Sequence, residues 1–327
     1  MIKAILKTIE KGGRFLVAAH ENPDGDAVAS TLALTNALRE LGKDVTAFNR
    51  DGVPDPFVFL PGAETVVTDL DGCAPFDAGF ILDSGELRRA GSHLRECCRI
   101  LINIDHHPFS ESFGEIHFVD EDASATGALI YRILKEGRIE ISPSVALCIY
   151  TSILSDTGSF RYSNANPEAF RIAAEMVGKG VSPWDVASGL YESQGAESLR
   201  LLALALSTLT VSACGLYASV TVTSGMYAQA GAGAEDTDGF INYPRSIRGV
   251  EAAIFFRQVG ASSFKVGMRS KGKVDVGALA RELGGGGHHN AAGALLDGSL
   301  DEVRNTVFSR IDALLNTMSS PVITPEK

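Results

Sequence analysis

Apolar positions in the first part of the chain come in short unbroken runs, and each run empties into polar residues. Phe15 to Ala19 leads into His20-Glu21-Asn22-Pro23-Asp24-Gly25-Asp26, Ala78 to Leu82 into Asp83-Ser84, and Ile100 to Ile104 into Asp105-His106-His107-Pro108. Runs of this length predict buried strands, and Pro108 stops the last one from continuing. Asp44 to Phe48 and Ile116 to Val119 add two more strands. Between them the apolar spacing becomes helical: Ile2, Ile5, Leu6 and Ile9 mark a helix ending at Gly12-Gly13, and Val28, Leu32, Leu34, Leu38 and Leu41 mark another before Gly42. A polar, partly helical segment carries Leu87 and Leu94. Further helices are predicted over Ala123 to Leu134, Ser144 to Leu154, Pro167 to Val177 and Pro183 to Tyr191, the last two with proline at an early helical position. Ser144 to Leu154 is apolar nearly all round, which places it at the centre of the core, and it delivers Ser155-Asp156-Thr157-Gly158 at its C-terminus.

Strands alternating with helices predict an α/β domain with a mainly parallel sheet flanked by helices. The pattern then changes. Ala196 to Leu209 reads as a linking helix, after which Leu216 to Val222, Val250 to Arg257 and Phe264 to Arg269 read as paired strands, the last two joined by a hairpin at Gly260-Ala261-Ser262-Ser263. A helix at Asp275 to Leu283 runs into the glycine-rich stretch Gly284 to Gly293, and Leu300 to Leu315 is a closing helix. The expected organisation is a first domain over 1–190, a linker helix over 191–210, a smaller α/β domain over 211–318 and a flexible tail over 319–327.

At 327 residues the chain is long enough for two domains with ordinary cores, and 45% hydrophobic with 21% charged residues describes a soluble globular protein. No apolar run reaches the roughly 18 residues of a membrane span, and the first residues form an amphipathic helix rather than a signal peptide, so a cytoplasmic location is expected. Cys73, Cys97, Cys98, Cys148 and Cys214 lack metal-knuckle spacing and read as reduced, mostly buried thiols. A net charge of −11 argues against a protein that grips long nucleic acid and leaves a short or small anionic substrate.

Ligands of open α/β sheets sit at the C-terminal strand tips. Here the element tips supply His20, Asp24 and Asp26, then Asp83, then Asp105-His106-His107, then Asp156. Asp105-His106-His107 alone also fits a loop of satisfied histidines, and matching ligands from other strands decide between the two readings. Asp24, Asp26, Asp83 and Asp156 have no positive partner in their local sequence and would repel one another in one crevice. A pair of divalent cations is the economical reason to gather them. Oxygen-rich ligands with one or two imidazoles and no thiolate suit Mn²⁺ or Mg²⁺ better than a structural zinc. An acid shared between two ions about 3.5–4 Å apart would activate water and clamp a phosphoryl group.

His20-x-Asn22-x-Asp24-x-Asp26, Asp83, Asp105-His106-His107 and Asp156 resemble the four motifs of the DHH phosphoesterase superfamily. Gly284 to Gly293 resembles the Gly-Gly-Gly-His motif of its DHHA1 domain, and the likeness extends through Asp238 to Tyr243, Arg257 and Met268-Arg269-Ser270-Lys271. The chain is most similar to the bacterial nano-RNase and pAp phosphatase branch, whose members trim very short oligonucleotides and dephosphorylate 3′-phosphoadenosine 5′-phosphate. The resemblance implies two cations, most simply Mn²⁺ with Mg²⁺ as the other candidate, and it gives His20, Asp24 and Asp83 to the first. Asp26, Asp83, His106 and Asp156 go to the second, with Asp83 bridging. Asp105 would orient an imidazole, and His107 would face the phosphate. A hydroxide activated by both metals would then attack phosphorus in line.

Four aspartates and two divalent ions sum to zero, so an anionic substrate needs further positive or N–H groups. The resemblance points to His107 and, in the second domain, to Arg257, Arg269, Ser270, Gly286, Gly287, His288 and Asn290. It also suggests a homodimer acting on short oligonucleotides or a nucleoside bisphosphate, while the net charge and the apolar run lengths leave no long nucleic acid and no membrane among the expected partners. Rival readings are a cyclic di-AMP or linear dinucleotide phosphodiesterase, a processive RecJ-like exonuclease, which the short acidic chain disfavours, and an inorganic pyrophosphatase, which should carry a Lys/Arg-rich C-terminal motif. A non-catalytic nucleotide sensor is the rival of another class, and intact ligands at every metal position count against it. Other residues read as structural: His93 and His117, Cys97-Cys98 as helix packing, and Phe255-Phe256 as alternating core residues that could instead stack a base. Glycine runs also form plain flexible loops, arginines at strand ends are commonly solvated, and His289 stands where relatives would carry proline.

Overall fold

The apolar runs of the first unit, Met1–Ser193, become one parallel sheet; the second unit is Gln194–Lys327. The structure, a computed structural model, describes residues 1–70, 75–108, 110–192 and 194–319. Cys73, the tail from residue 320 and the side chain of His288 lie outside the described residues.

In chain order the first unit comprises α1 (Ile2–Lys11), β1 (Arg14–Ala19), α2 (Gly25–Glu40), β2 (Asp44–Phe48), β3 (Ala78–Leu82), the single turns α3 (Leu87–Ala90) and α4 (Leu94–Cys97), and β4 (Leu101–Asp105). It continues with β5 (Ile116–Val119), α5 (Thr126–Glu136), α6 (Pro143–Asp156), α7 (Pro167–Gly178) and α8 (Pro183–Tyr191). The sheet runs β2-β1-β3-β4-β5, parallel throughout. Its strands read as unbroken apolar runs because both faces are covered. Phe15, Val17, Phe80 and Ile104 pack with α1, α2, α5 and α6, while Leu16, Ala18, Ile81 and Leu101 pack with Ala90 of α3 and Leu94 of α4. α6 lies against α2, α5 and α7, with Val145, Ala146, Ile149 and Ile153 fully buried. Pro143 at its first turn and Ser142, whose side chain accepts from Val145 N–H, set where it starts. It runs to Asp156, so that acid sits at the negative end of a buried helix.

The second unit comprises α9 (Ala196–Ser207), β6 (Thr210–Val211), β7 (Tyr217–Val222), α10 (Ser224–Ala230), α11 (Asn242–Ser246), β8 (Ala252–Gly260), β9 (Ser263–Ser270), α12 (Val276–Glu282), β10 (Gly286–His288), β11 (Ala291–Asp297) and α13 (Leu300–Ser319). Its sheet runs β10-β11-β9-β8-β7-β6. β7 and β8 pair in parallel, so the residues between them, which include α10 and α11, make a crossover rather than a hairpin. α9 buries Leu201 and Ala205 against Val220, Val222 and Phe255, so it packs on this unit's own sheet. The glycine-rich stretch forms the β10–β11 hairpin. Gly287 is required there, with φ +135° and a position where a Cβ would stand 2.5 Å from Ala291 O. Phe255 and Phe256 are both core residues. Cys148 is buried and Cys97 and Cys98 are half-buried, but Cys214 is exposed, which corrects the expectation for that thiol. Among the described residues no helix is long and apolar enough to cross a membrane.

Candidate metal centre

Parallel strands end on the same side of their sheet, so β1, β3 and β4 present their following residues to one crevice, where the C-terminus of α6 also arrives. His20 follows β1 and accepts no freedom of orientation: its Nδ1 lies 2.7 Å from Glu21 O, which leaves Nε2 turned to Asp83 Oδ2 at 3.6 Å and Asp24 Oδ1 at 4.0 Å. Asp24 caps α2 by accepting from Asp26 N–H at 3.0 Å and Ala27 N–H at 3.1 Å through Oδ1. Asp83, which follows β3, is 1% exposed and holds a left-handed φ of 52°, a strained backbone of the kind that clusters at functional sites. Its Oδ1 lies 3.5 Å from both His106 Nε2 and His107 Nδ1. One oxygen of Asp83 thus faces His20 and the other faces the two later histidines.

Asp105 ends β4 fully buried. Its Oδ1 accepts from the backbone N–H groups of His106 and His107 and lies 2.9 Å from His107 Nδ1, so the imidazole it orients is that of His107. His106 Nδ1 lies 3.3 Å from Ala123 O, and its Nε2 is 3.7 Å from Asp26 Oδ2 and 3.9 Å from Asp156 Oδ2. Asp26 Oδ2 accepts from Thr126 N–H at 2.7 Å, and its Oδ1 accepts from the Ser152 hydroxyl at 2.5 Å and Gly127 N–H at 3.3 Å. Asp156 Oδ2 accepts from Asn164 Nδ2 at 2.8 Å. Thr126, Ser152 and Asn164 were missed by the sequence reading, since each sits in an ordinary helical or polar stretch. Only the 126-residue separation closed between Asp26 and Ser152 reveals the partnership.

Three sets of donor atoms each lie within 4.8 Å of one another: His20, Asp24 and Asp83; Asp26, His106 and Asp156; and Asp83, His106 and His107. The side-chain chemistry fits divalent cations. Among the described residues these acids form ion pairs with histidines only, and no lysine or arginine compensates them. Burial, then Asp83, drives the Asp26 carboxyl well above its ordinary pKa. Burial also raises Asp156 to about 6, although His106 opposes it. Burial works against a charge on His106, yet the hydrogen bond and charge of Asp83, with Asp26 and Asp156, raise it to about 11. Metal-free, the cluster therefore holds itself together with protons, a role that cations take over with oxygen and imidazole donors.

In the second unit Arg269 faces Ala291 across the β9–β11 pair, Ser270 N–H donates to Asn290 O, and Gly287 and His288 pair with Ala292 and Ala291. Arg269, Ser270, Asn290 and the glycine strand are thereby gathered at one end of the sheet. Ser270 is 5% exposed, and its hydroxyl accepts from Gly272 N–H and Val274 N–H, so it shapes the following turn. Arg257 stands apart. Its register partner is Lys265 while that of Arg269 is Ala253, four positions or about 13 Å along the strand. Its Nη1 donates to Ala234 O at 3.1 Å and Thr237 Oγ1 at 3.0 Å. His289 ties the hairpin to the neighbouring turn, with Nε2 2.8 Å from Gly272 O and Nδ1 3.6 Å from Asp275.

Residues 14–153 match the DHH family, N-terminal domain, and residues 215–317 match the DHHA1 domain. The chain is 35% identical to the bifunctional oligoribonuclease and PAP phosphatase NrnA of Thermus thermophilus, over 95% of this chain and 92% of that one. It is 27% identical to the protein of the same name from Bacillus subtilis, over 89% and 91%. A solved structure of an exopolyphosphatase-related protein from Bacteroides fragilis superposes with a TM-score of 0.93 at 28% identity, covering 98% of this chain and 97% of that one. RecJ from Thermus thermophilus, solved with Mn²⁺, shares the fold at a TM-score of 0.55 and 16% identity, covering 98% of this chain and 55% of that one. With a family match in each unit and a 35% identical relative aligned over nearly its whole length, the chain belongs to the DHH family of metal-dependent phosphoesterases, a DHH N-terminal domain followed by a DHHA1 domain.

Proposed function

We propose that this chain is a Mn²⁺-dependent phosphoesterase that hydrolyses very short oligonucleotides and 3′-phosphoadenosine 5′-phosphate; its Thermus relative is named an oligoribonuclease and PAP phosphatase. The observation that carries the reading is the convergence of seven acids and imidazoles from the ends of β1, β3, β4 and α6 and the start of α2, with no compensating lysine or arginine among the described residues. His20, Asp24 and Asp83 would hold one cation and Asp26, Asp83, His106 and Asp156 a second, with Asp83 shared. When bound, such a pair activates water at neutral pH and polarises the phosphoryl oxygens for in-line displacement.

The chain's own residues supply the rest. Burial works against a charge on His107, but its Nδ1 hydrogen bond to Asp105 and the charge of Asp83 raise its pKa. The imidazolium would keep Nδ1–H on Asp105 and donate Nε2–H toward a phosphate oxygen, stabilising its developing charge. In the second unit, Gly286 and Gly287 carry no Cβ to obstruct an anion, and Arg269 and Asn290 stand at the same end of that unit's sheet, which suits it to bind phosphate. Ser270 contributes by holding the turn, while Arg257 is engaged with the Ala234–Thr237 loop.

The test is a panel assay with purified protein and Mn²⁺ against 3′-phosphoadenosine 5′-phosphate, dinucleotides, short RNA, cyclic di-AMP and pyrophosphate. Turnover of the bisphosphate and the short RNAs is expected. Turnover of cyclic di-AMP alone would move the substrate assignment, and no turnover of any member would refute the enzyme reading.

A further inference from the structure

Thr126 opens α5 and touches two of the acids. Its backbone N–H donates to Asp26 Oδ2 at 2.7 Å and its hydroxyl donates to Asp83 Oδ1 at 3.1 Å, and the residue is fully buried. Neighbours on the same stretch act alike. Ala123 O lies 3.3 Å from His106 Nδ1, and Ser124 O accepts at 3.0 Å from the Asn164 amide that also donates to Asp156. Gly127 N–H donates to Asp26. Residues 123–127 therefore reach Asp26, Asp83, His106 and, through Asn164, Asp156. His20 is held from elsewhere, by Asn49 Nδ2 donating to His20 O at 2.9 Å, and Asp24 is held by the start of α2.

The Thr126 hydroxyl has a specific consequence for Asp83. The carboxylate plane of an aspartate turns in a broad torsional well, so hydrogen bonds decide which oxygen points where. Thr126 donates to the oxygen that lies 3.5 Å from His106, leaving the other oxygen 3.6 Å from His20.

We infer that Thr126 is a positioning residue: its hydroxyl sets the plane of Asp83, whose two oxygens face the two donor sets, while its N–H sets Asp26, so cation binding at this centre depends on it. The inference rests on the reading of these residues as cation ligands.

Thr126→Val removes the hydroxyl, keeps the N–H and preserves shape, whereas Thr126→Ser keeps the hydroxyl. EDTA-treated proteins are titrated with Mn²⁺ by calorimetry after their folding is checked by circular dichroism. Loss of a partner that orients a metal ligand typically weakens binding about 10–100-fold, so Thr126→Val should weaken Mn²⁺ binding by that factor. Thr126→Ser should bind as the parent does. Should Val fail to fold, Thr126→Ala lacks the same hydroxyl and carries the same expectation. At saturating Mn²⁺ the KM for a phosphodiester should be unchanged in Thr126→Val. Parental affinity at both binding steps, or a Thr126→Ser as weak as Thr126→Val, overturns the inference alone. An Asp83→Ala protein that binds Mn²⁺ like the parent overturns the ligand reading and the inference with it.

Discussion

Asp26 has two tasks that substitution can separate. It accepts from Thr126 N–H, Gly127 N–H and the Ser152 hydroxyl, and so caps α5 from a distance, because Ala125 at the N-cap position offers no side-chain hydrogen bond. Asp26→Ala leaves at least the Thr126 N–H and the Ser152 hydroxyl without that acceptor, at about 1–3 kcal/mol for each buried group. Loss of the acid also relieves some crowding, since burial and Asp83 disfavour charge at this position. Asp26→Asn gains the same relief yet keeps an oxygen for Thr126 N–H and an amide that can donate to Ser152. The difference between the two variants in metal-free protein therefore isolates the cap, at about 2–4 kcal/mol with Asn the more stable.

For a unit of this size 1 kcal/mol moves Tm by about 2–4 °C, so the Asn and Ala variants should melt about 5–15 °C apart. The assay is scanning calorimetry of EDTA-treated protein, with Trp184, the chain's one tryptophan and a residue of α8, identifying the first unit's transition by fluorescence. Both variants should lose most of the Tm gain that Mn²⁺ gives the parent, because a ligand that binds only the native state stabilises it in proportion to ln(1 + [L]/Kd). Equal melting temperatures for Asp26→Asn and Asp26→Ala would refute the cap, and a parental Mn²⁺ response in Asp26→Asn would refute the metal role.

Two further outcomes are expected. With a pKa raised to about 11, His106 is protonated at neutral pH in the metal-free state and must lose that proton to bind a cation, so Mn²⁺ uptake should release protons, and apparent affinity should fall about tenfold for each unit the pH is lowered, per proton released. Calorimetric titration in buffers of different ionisation enthalpy measures this, and buffer-independent heats would contradict it. In the second unit, Gly287→Ala puts a Cβ 2.5 Å from Ala291 O at a φ of +135°, so the β10–β11 hairpin should lose about 2–3 kcal/mol. That unit's calorimetric transition should drop while the first unit's stays, and an unmoved transition would show that the hairpin tolerates the side chain.

The sequence carried the site's chemistry farther than its support. β3 matches its expected span residue for residue, and Asp83, His106 and Asp156 could be named because buried strands and a nearly all-apolar helix stand out, and whatever polar residue ends them is conspicuous. Thr126, Ser152 and Asn164 give no such signal, since a hydroxyl or amide in a helix or loop reads alike whether it faces water or a carboxylate. Arg257 and Arg269 looked equivalent as strand-end arginines until register put them about 13 Å apart. The glycine stretch gave no strand signal because glycine has little intrinsic strand preference, and pairing with β11 made it a strand.

By itself, then, the sequence determined the alternation of strands and helices, the two-part organisation and the acids and imidazoles at the element tips. These follow from local periodicity and from what ends each apolar run. Tertiary structure alone decided that Asp105 orients His107, that Asp83 turns one oxygen to each side of the centre, and that the start of α5 holds the acids in place. The last two join residues that only sheet order and helix packing bring together, and all three are hydrogen bonds or close contacts whose distances no local pattern encodes.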